Sequence, residues 1–123
     1  MRVPILKLNK VLIAMIQDAL TDADLFKLQS DLAEQVGRYR ALGVVIDVTA
    51  LDIMDSFSTR TLRDIAYTTQ LRGARMVIVG IQPDVAFSMI QLGLRLEGVA
   101  TALDLEDGLA YLEDQFKKSE NHQ

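Results

Sequence analysis

The sequence predicts an α/β domain: a mostly parallel, mixed five-stranded sheet with four helices, in the order ββαβαβαβα. Three observations carry that prediction. The short runs Val44-Val45-Ile46-Asp47-Val48 and Met76-Val77-Ile78-Val79 are rich in β-branched residues and flanked by glycine, as strands buried on both faces are. Longer stretches between such runs place apolar residues at three- and four-residue steps, the mark of a one-sided helix. Strand and helix alternate after an opening hairpin, and such crossovers make parallel strands.

Each element has its own reason. Pro4-Ile5-Leu6-Lys7-Leu8-Asn9 alternates apolar and polar, Asn9-Lys10 signals a turn, and Val11-Leu12-Ile13-Ala14-Met15-Ile16 is apolar throughout. This is a hairpin whose second strand is the more buried. Thr21 or Asp22 can cap the first helix, whose apolar face is Leu25, Leu28, Leu32, Val36 and Tyr39. Lys27, Asp31, Glu34 and Arg38 fill its other side, and Gly43 ends it. After the strand Val44 to Val48, a helix from about Phe57 to Leu71 buries Phe57, Leu62, Ile65, Ala66 and Thr69 and stops at Gly73. Gln82-Pro83-Asp84 opens the third helix, where proline suits the first turn and the acid complements the dipole. Val85, Ala86, Met89, Ile90 and Leu92 are its expected apolar face, and Gly93 its stop. Val99 to Leu103 makes a last strand, and Asp104 caps a helix buried through Leu105, Leu109, Leu112 and Phe116.

The bulk numbers narrow the function. A chain of 123 residues, half of them apolar, suits one domain. That domain is expected over residues 1–116, with a frayed tail over 117–123. The net charge of −4 is spread along the chain, which argues against nucleic acid, since phosphate binding needs a basic face. Without cysteine there is no disulfide, thiol chemistry or zinc–thiolate site, a composition that fits a cytoplasmic setting. No apolar run has the length of a membrane span, and Met1-Arg2-Val3-Pro4-Ile5 shows no secretory pattern.

The stretch richest in candidate chemistry is Asp52-Ile53-Met54-Asp55-Ser56-Phe57-Ser58-Thr59-Arg60, between the central strand and the second helix. Loops at the carboxyl ends of strands form the usual functional rim, and residues 49–56 and 80–83 both fall on it. Phosphate-binding glycine patterns are missing, and the only histidine, His122, lies in the tail, so Ser–His catalysis has no base. Asp47, Asp52 and Asp55 could hold Mg²⁺, or Asp47 could accept a phosphate as in receiver domains. The plainer reading is that Asp52 shapes the turn and Asp55 the helix start. Ser56 is either an N-cap or first-turn residue, or a phosphorylation site at a helix N-terminus that tolerates an anion. Arg60, one turn on, could approach such a phosphate, and Asp55 would repel it.

Val44-Val45-Ile46-Asp47-Val48-Thr49 followed by Asp55-Ser56-Phe57 resembles the phospho-acceptor segment of STAS domains, the family of bacterial anti-sigma-factor antagonists. In that segment an aspartate is followed directly by serine or threonine at a helix start. Val3-Pro4-Ile5-Leu6-Lys7-Leu8, Gly80-Ile81-Gln82-Pro83, Leu92-Gly93 and Thr101-Ala102-Leu103-Asp104-Leu105-Glu106-Asp107-Gly108-Leu109 extend the resemblance over most of the chain, towards the single-domain RsbS-like branch. The resemblance implies a STAS fold and a non-enzymatic cytoplasmic scaffold without cofactor or metal. It implies self-association, assembly with RsbR-type STAS paralogues into a stressosome, and sequestration of an RsbT-type serine kinase. It also implies phosphorylation of Ser56 in the setting of Asp55 and Arg60, release of the kinase, and reset by an RsbX-type phosphatase. Ser58 and Thr59 depart from the commoner residues of that turn and are secondary candidates. Val79 stands where RsbR-type paralogues often carry a second phospho-threonine, so that site is not carried over. A small-ligand role, known for some STAS domains, is the remaining alternative, with no sequence feature in its favour.

Overall fold

Sheet order follows chain order. In the computed structural model, which describes residues 3–120, β1 (Ile5–Leu8), β2 (Val11–Met15), β3 (Gly43–Asp47), β4 (Arg75–Val79) and β5 (Ala100–Ala102) lie side by side in that sequence. β1 is antiparallel to β2 across the Asn9 turn, and all later pairs are parallel, with Ile13, Val45 and Val77 in register. Asn9 takes the left-handed conformation, φ 55°, that asparagine tolerates better than most residues.

The helices are α1 (Asp22–Tyr39), α2 (Ser56–Leu71), α3 (Pro83–Gln91) and α4 (Leu105–Glu120). Three parallel crossovers advance in one direction along the sheet. Right-handed crossovers then put α1, α2 and α3 on the same face. Their core joins Leu12, Val44, Ile46 and Ile78 of the sheet to Leu28 and Leu32 of α1, Leu62 and Ile65 of α2, and Val85 and Met89 of α3. Each fully buried leucine or isoleucine contributes about 1.5–3 kcal/mol. The opposite face has a smaller core of Val11, Ile13, Val45, Val77 and Val79 under Leu112 of α4. Gly108 lets α4 sit close, since a Cβ there would stand 2.5 Å from Val79 Cγ1.

Several expectations shift. α1 ends at Tyr39 with Arg40 in the left-handed region (φ 50°), and Gly43 opens β3 instead of closing the helix. Thr21, not Asp22, is the cap. Its hydroxyl accepts from the Asp24 N–H (3.1 Å) while the Asp24 carboxylate accepts from the Thr21 N–H (3.1 Å). Asp31 is not on the solvent side but largely buried, with Lys27 Nζ 3.1 Å away, whereas Tyr39 is exposed, its ring 5.7 Å from Lys7 Nζ. On the short α3 only Val85 and Met89 are buried, one i, i+4 stripe, and Ile90 and Leu92 point outward. β5 is cut to three residues and Leu103 is exposed. α4 is capped by Asp104, which accepts from the Asp107 N–H at 2.9 Å. It continues through Lys117 to Glu120, so the frayed tail does not begin at 117. His122 lies outside the described residues.

Candidate functional site

β3 runs between β2 and β4, so the loop it feeds leaves the middle of the sheet edge. Val48 extends the strand, its N–H donating to the Val79 carbonyl (3.0 Å). The chain then turns. The Asp47 carboxylate accepts both the N–H (2.9 Å) and the hydroxyl (2.6 Å) of Thr49, an Asx turn, and the Leu51 N–H donates to the Val48 carbonyl (2.9 Å). Leu51 and Met54 are buried and pin the loop at two points, leaving Asp52 and Ile53 outside. The Gln82 side-chain amide donates to the Thr49 carbonyl (2.6 Å), so residues 49–56 and 80–83 do meet on this rim. Gly80, at φ +82°, is pressed so closely on Thr49 that any side chain there would collide with it.

Asp55 is the N-cap of α2, with extended backbone (φ −83°, ψ 179°), and Ser56 is the first helical residue. The Asp55 carboxylate accepts from the Ser58 N–H at 2.7 Å. Hydrogen bonds from the Ser58 N–H and hydroxyl hold the Asp55 carboxyl below its ordinary value, with a weaker pull from the Arg60 guanidinium. The hydroxyls of the first turn therefore differ in availability. Thr59 is 1% exposed and donates to the Asp55 carbonyl (2.9 Å). Ser58 is half-buried and engaged with Asp55. Ser56 is exposed and does no capping. The first turn of α2 also lacks acids, unlike those of α1 (Asp22, Asp24), α3 (Asp84) and α4 (Glu106, Asp107). The anion-favouring end of its dipole is thus left to the cap alone.

Asp47, Asp52 and Asp55 do not form a metal centre. Among the described residues no group of three or more His, Cys, Asp or Glu is placed to hold a metal ion. Asp47 accepts from Thr49 and Asp55 from Ser58, each through its Oδ1.

Beside Ser56 lies a cleft that the sequence did not announce. Ile16 and Leu20 after β2, Leu25 of α1, Leu51 and Ile53 of the loop, and Leu62 of α2 wall a space of about 170 Å³, with Asp55 and Ser58 at its edge. Ile53 is 78% exposed at its mouth. Its only sequence signal is a lone β-branched residue amid acids. Phe57 meets Phe26 edge to face, with centroids 6.1 Å apart, a contact between α1 and α2 that the apolar stripe of α1 does not include. No described helix is long and apolar enough to cross a membrane.

Comparison with known proteins agrees with this architecture. The STAS domain family model matches residues 3–107. A serine-to-glutamate variant of RsbS from Moorella thermoacetica superposes with a TM-score of 0.79 at 35% identity, covering 94% of this chain and 97% of that one. A chain of a stressosome structure, described as a signal integration and transduction hub, does so at 0.77 and 37% identity, covering 91% and 97%. The RsbT co-antagonist protein RsbRA of Bacillus subtilis is 26% identical over 83 residues, 68% of this chain but 30% of that protein, so the chain spans under a third of this relative. The chain thus belongs to the STAS domain family, among its RsbS-like, stressosome-type members.

Proposed function

We propose that this chain is a phosphorylatable scaffold and antagonist. It assembles with copies of itself and with RsbR-type STAS paralogues in a cytoplasmic stressosome and holds an RsbT-type serine kinase. Phosphorylation of Ser56 releases that kinase, and an RsbX-type phosphatase resets the site. In this role the chain is a substrate of the kinase and needs no catalytic base, cofactor or metal of its own. The observation that carries the reading is the division of labour at the start of α2. Asp55 fixes the helix, Thr59 and Ser58 are engaged, and Ser56 alone is exposed and free of a structural duty.

The physical consequence of modification is local and large in charge. A phosphate adds about −1.5 to −2 charge, and at Ser56 it would occupy a first helical turn without acids of its own. Arg60, four residues on, would attract it and Asp55 would repel it. The helix is expected to survive, while a partner seated on this rim meets a new anion beside the exposed Ile53. Intact-mass measurement and peptide mapping after incubation with the cognate kinase test the site. Phosphate on Ser56 is expected, and phosphate on Ser58 alone would overturn the assignment. In pull-downs Ser56→Ala should hold the kinase and Ser56→Asp should lose it. Equal retention by both would sink the mechanism.

One observation favours a second reading, a small-ligand module: the cleft walled by Leu20, Leu51, Ile53 and Leu62. Its lining includes no lysine or arginine, so its chemistry suits an apolar side chain or small apolar molecule better than a nucleotide. Thermal stabilisation of the chain by a nucleotide would contradict that preference.

A further inference from the structure

Three of the four helices open on a side chain that caps them: Thr21 for α1, Asp55 for α2 and Asp104 for α4. α3 does not. Gln82 holds its N-cap position in extended backbone (φ −65°, ψ 149°), yet its side chain makes no capping bond. Serine, threonine, aspartate and asparagine suit that task, and glutamine is not among them. The Gln82 amide instead reaches the Thr49 carbonyl at 2.6 Å, in the loop that leads from β3 to Ser56. That carbonyl lies in the turn closed by the Leu51 N–H on the Val48 carbonyl (2.9 Å), and among the described residues no backbone N–H donates to it. The donor comes from a firm base. Gly80 is pressed on Thr49 and its N–H donates to the Ala102 carbonyl at the end of β5 (3.3 Å). Asp47, just before the turn, is bonded in turn to β2, its carbonyl accepting from the Ile16 N–H (3.0 Å).

We propose that Gln82 is a positioning residue for Ser56: it holds the turn at Thr49 in the one form that presents the serine to a kinase. The inference rests on the reading of Ser56 as the phosphorylated residue. Leu51 and Met54 pin the inner side of the loop by burial, which does not fix how the peptide between Thr49 and Ala50 is turned. A hydrogen bond to the Thr49 carbonyl does fix it. Asp52 and Ile53, between the two buried anchors, are exposed beside Ser56, so a turned peptide at 49–50 shifts the surface on which a kinase must seat. Only the fraction of chains with the loop in the competent form is modified, and each loss in that fraction lowers the rate in proportion. The side chain placed to cap α3 is thus used on the neighbouring loop. That separates the two roles: a shorter residue at position 82 can improve the helix and still loosen the loop.

Phosphorylation kinetics of the full chain with an RsbT-type kinase, together with thermal melting and amide hydrogen exchange of the free chain, test the proposal. Gln82→Ser is too short to reach Thr49 but caps a helix well. It should lower kcat/KM for Ser56 about three- to tenfold, the worth of one neutral hydrogen bond, with Tm equal to or above that of the natural chain. Exchange at the Leu51 amide should quicken, while the amides of α3 keep their protection. Gln82→Lys keeps a donor of sufficient reach and should restore the rate. An unchanged rate in Gln82→Ser, or an unchanged Leu51 amide, would overturn the proposal. So would a rate loss that comes with a lower Tm, which would assign the effect to the stability of α3. A loss in Gln82→Lys as large as in Gln82→Ser would mean that the kinase reads the amide itself, and would overturn it too. A natural chain left without phosphate on Ser56 would overturn the Ser56 reading and this inference with it, whereas the other failures strike the inference alone.

Discussion

Helices α1 and α2 leave the same edge of the sheet and cross the same face, yet they begin in different ways. α1 starts in a closed box: Thr21 and Asp24 each accept the other's N–H, and Asp22 and Asp24 supply first-turn acid. α2 starts on a single carboxylate, Asp55, followed by a turn without acids and with Ser56 exposed. The first arrangement commits its one hydroxyl, on Thr21, to the cap. The second keeps the helix in place while leaving one hydroxyl and one electrostatic vacancy at its tip. The same structural position is thus finished as a fixture in one case and as a candidate switch in the other.

The comparison can be broken first at the anchors beneath the two starts. Leu25→Ala and Leu62→Ala each remove a buried leucine and should cost about 2–5 kcal/mol, measured by urea unfolding. A much smaller loss at Leu62 would mean that α2 is not held as firmly as α1, and that Ser56 rests on a mobile element. Next comes the partner effect: Ser56→Asp should weaken kinase retention at least about tenfold, roughly 1.4 kcal/mol, and an acid placed at Ala23 in α1 should leave it unchanged. Equal losses would show a response to charge anywhere on the rim. The caps should then prove similar in size, with Asp55→Ala and Thr21→Ala each costing about 1 kcal/mol in denaturant titrations.

The smallest effect is the dependence on acid. The folded Asp55 carboxyl titrates below its ordinary value of 3.8, so the ionised group stabilises the fold above that pH, and this contribution is lost as pH falls through the lower, folded value. Asp55→Asn keeps the cap but removes the charge. Its stability gap to the natural chain should be steady near neutrality and narrow below 3.8. A gap that persists unchanged in acid would assign the cap to hydrogen-bond geometry alone.

The strands and helices were legible because β-branched runs and three- and four-residue apolar steps are local signals, and Val44–Val48 and Leu25–Val36 carry both strongly. The errors have local causes too. Gly43 reads as a helix stop, but Arg40 takes that conformation and glycine serves the close approach of Leu112 and Phe116. Ile90 and Leu92 are apolar and exposed because a nine-residue helix has room for only one buried stripe. At the site, Asp55-Ser56 could be picked out, but not which of the two caps the helix, since both residue types do so in isolation. The Gln82–Thr49 tether and the cleft behind Ile53 depend on strands far apart in sequence, which no local pattern reports.

The single cover on the second face has a consequence for synthesis. The sheet and its three-helix side are complete once β5 has emerged, but Val45, Val77 and Val79 stay bare until residues 105–120 follow and Leu112 closes over them. A chain cut short of that segment, by a nonsense change or a protease, would carry a finished sheet with one apolar face open. Such a fragment is expected to aggregate instead of merely losing a helix.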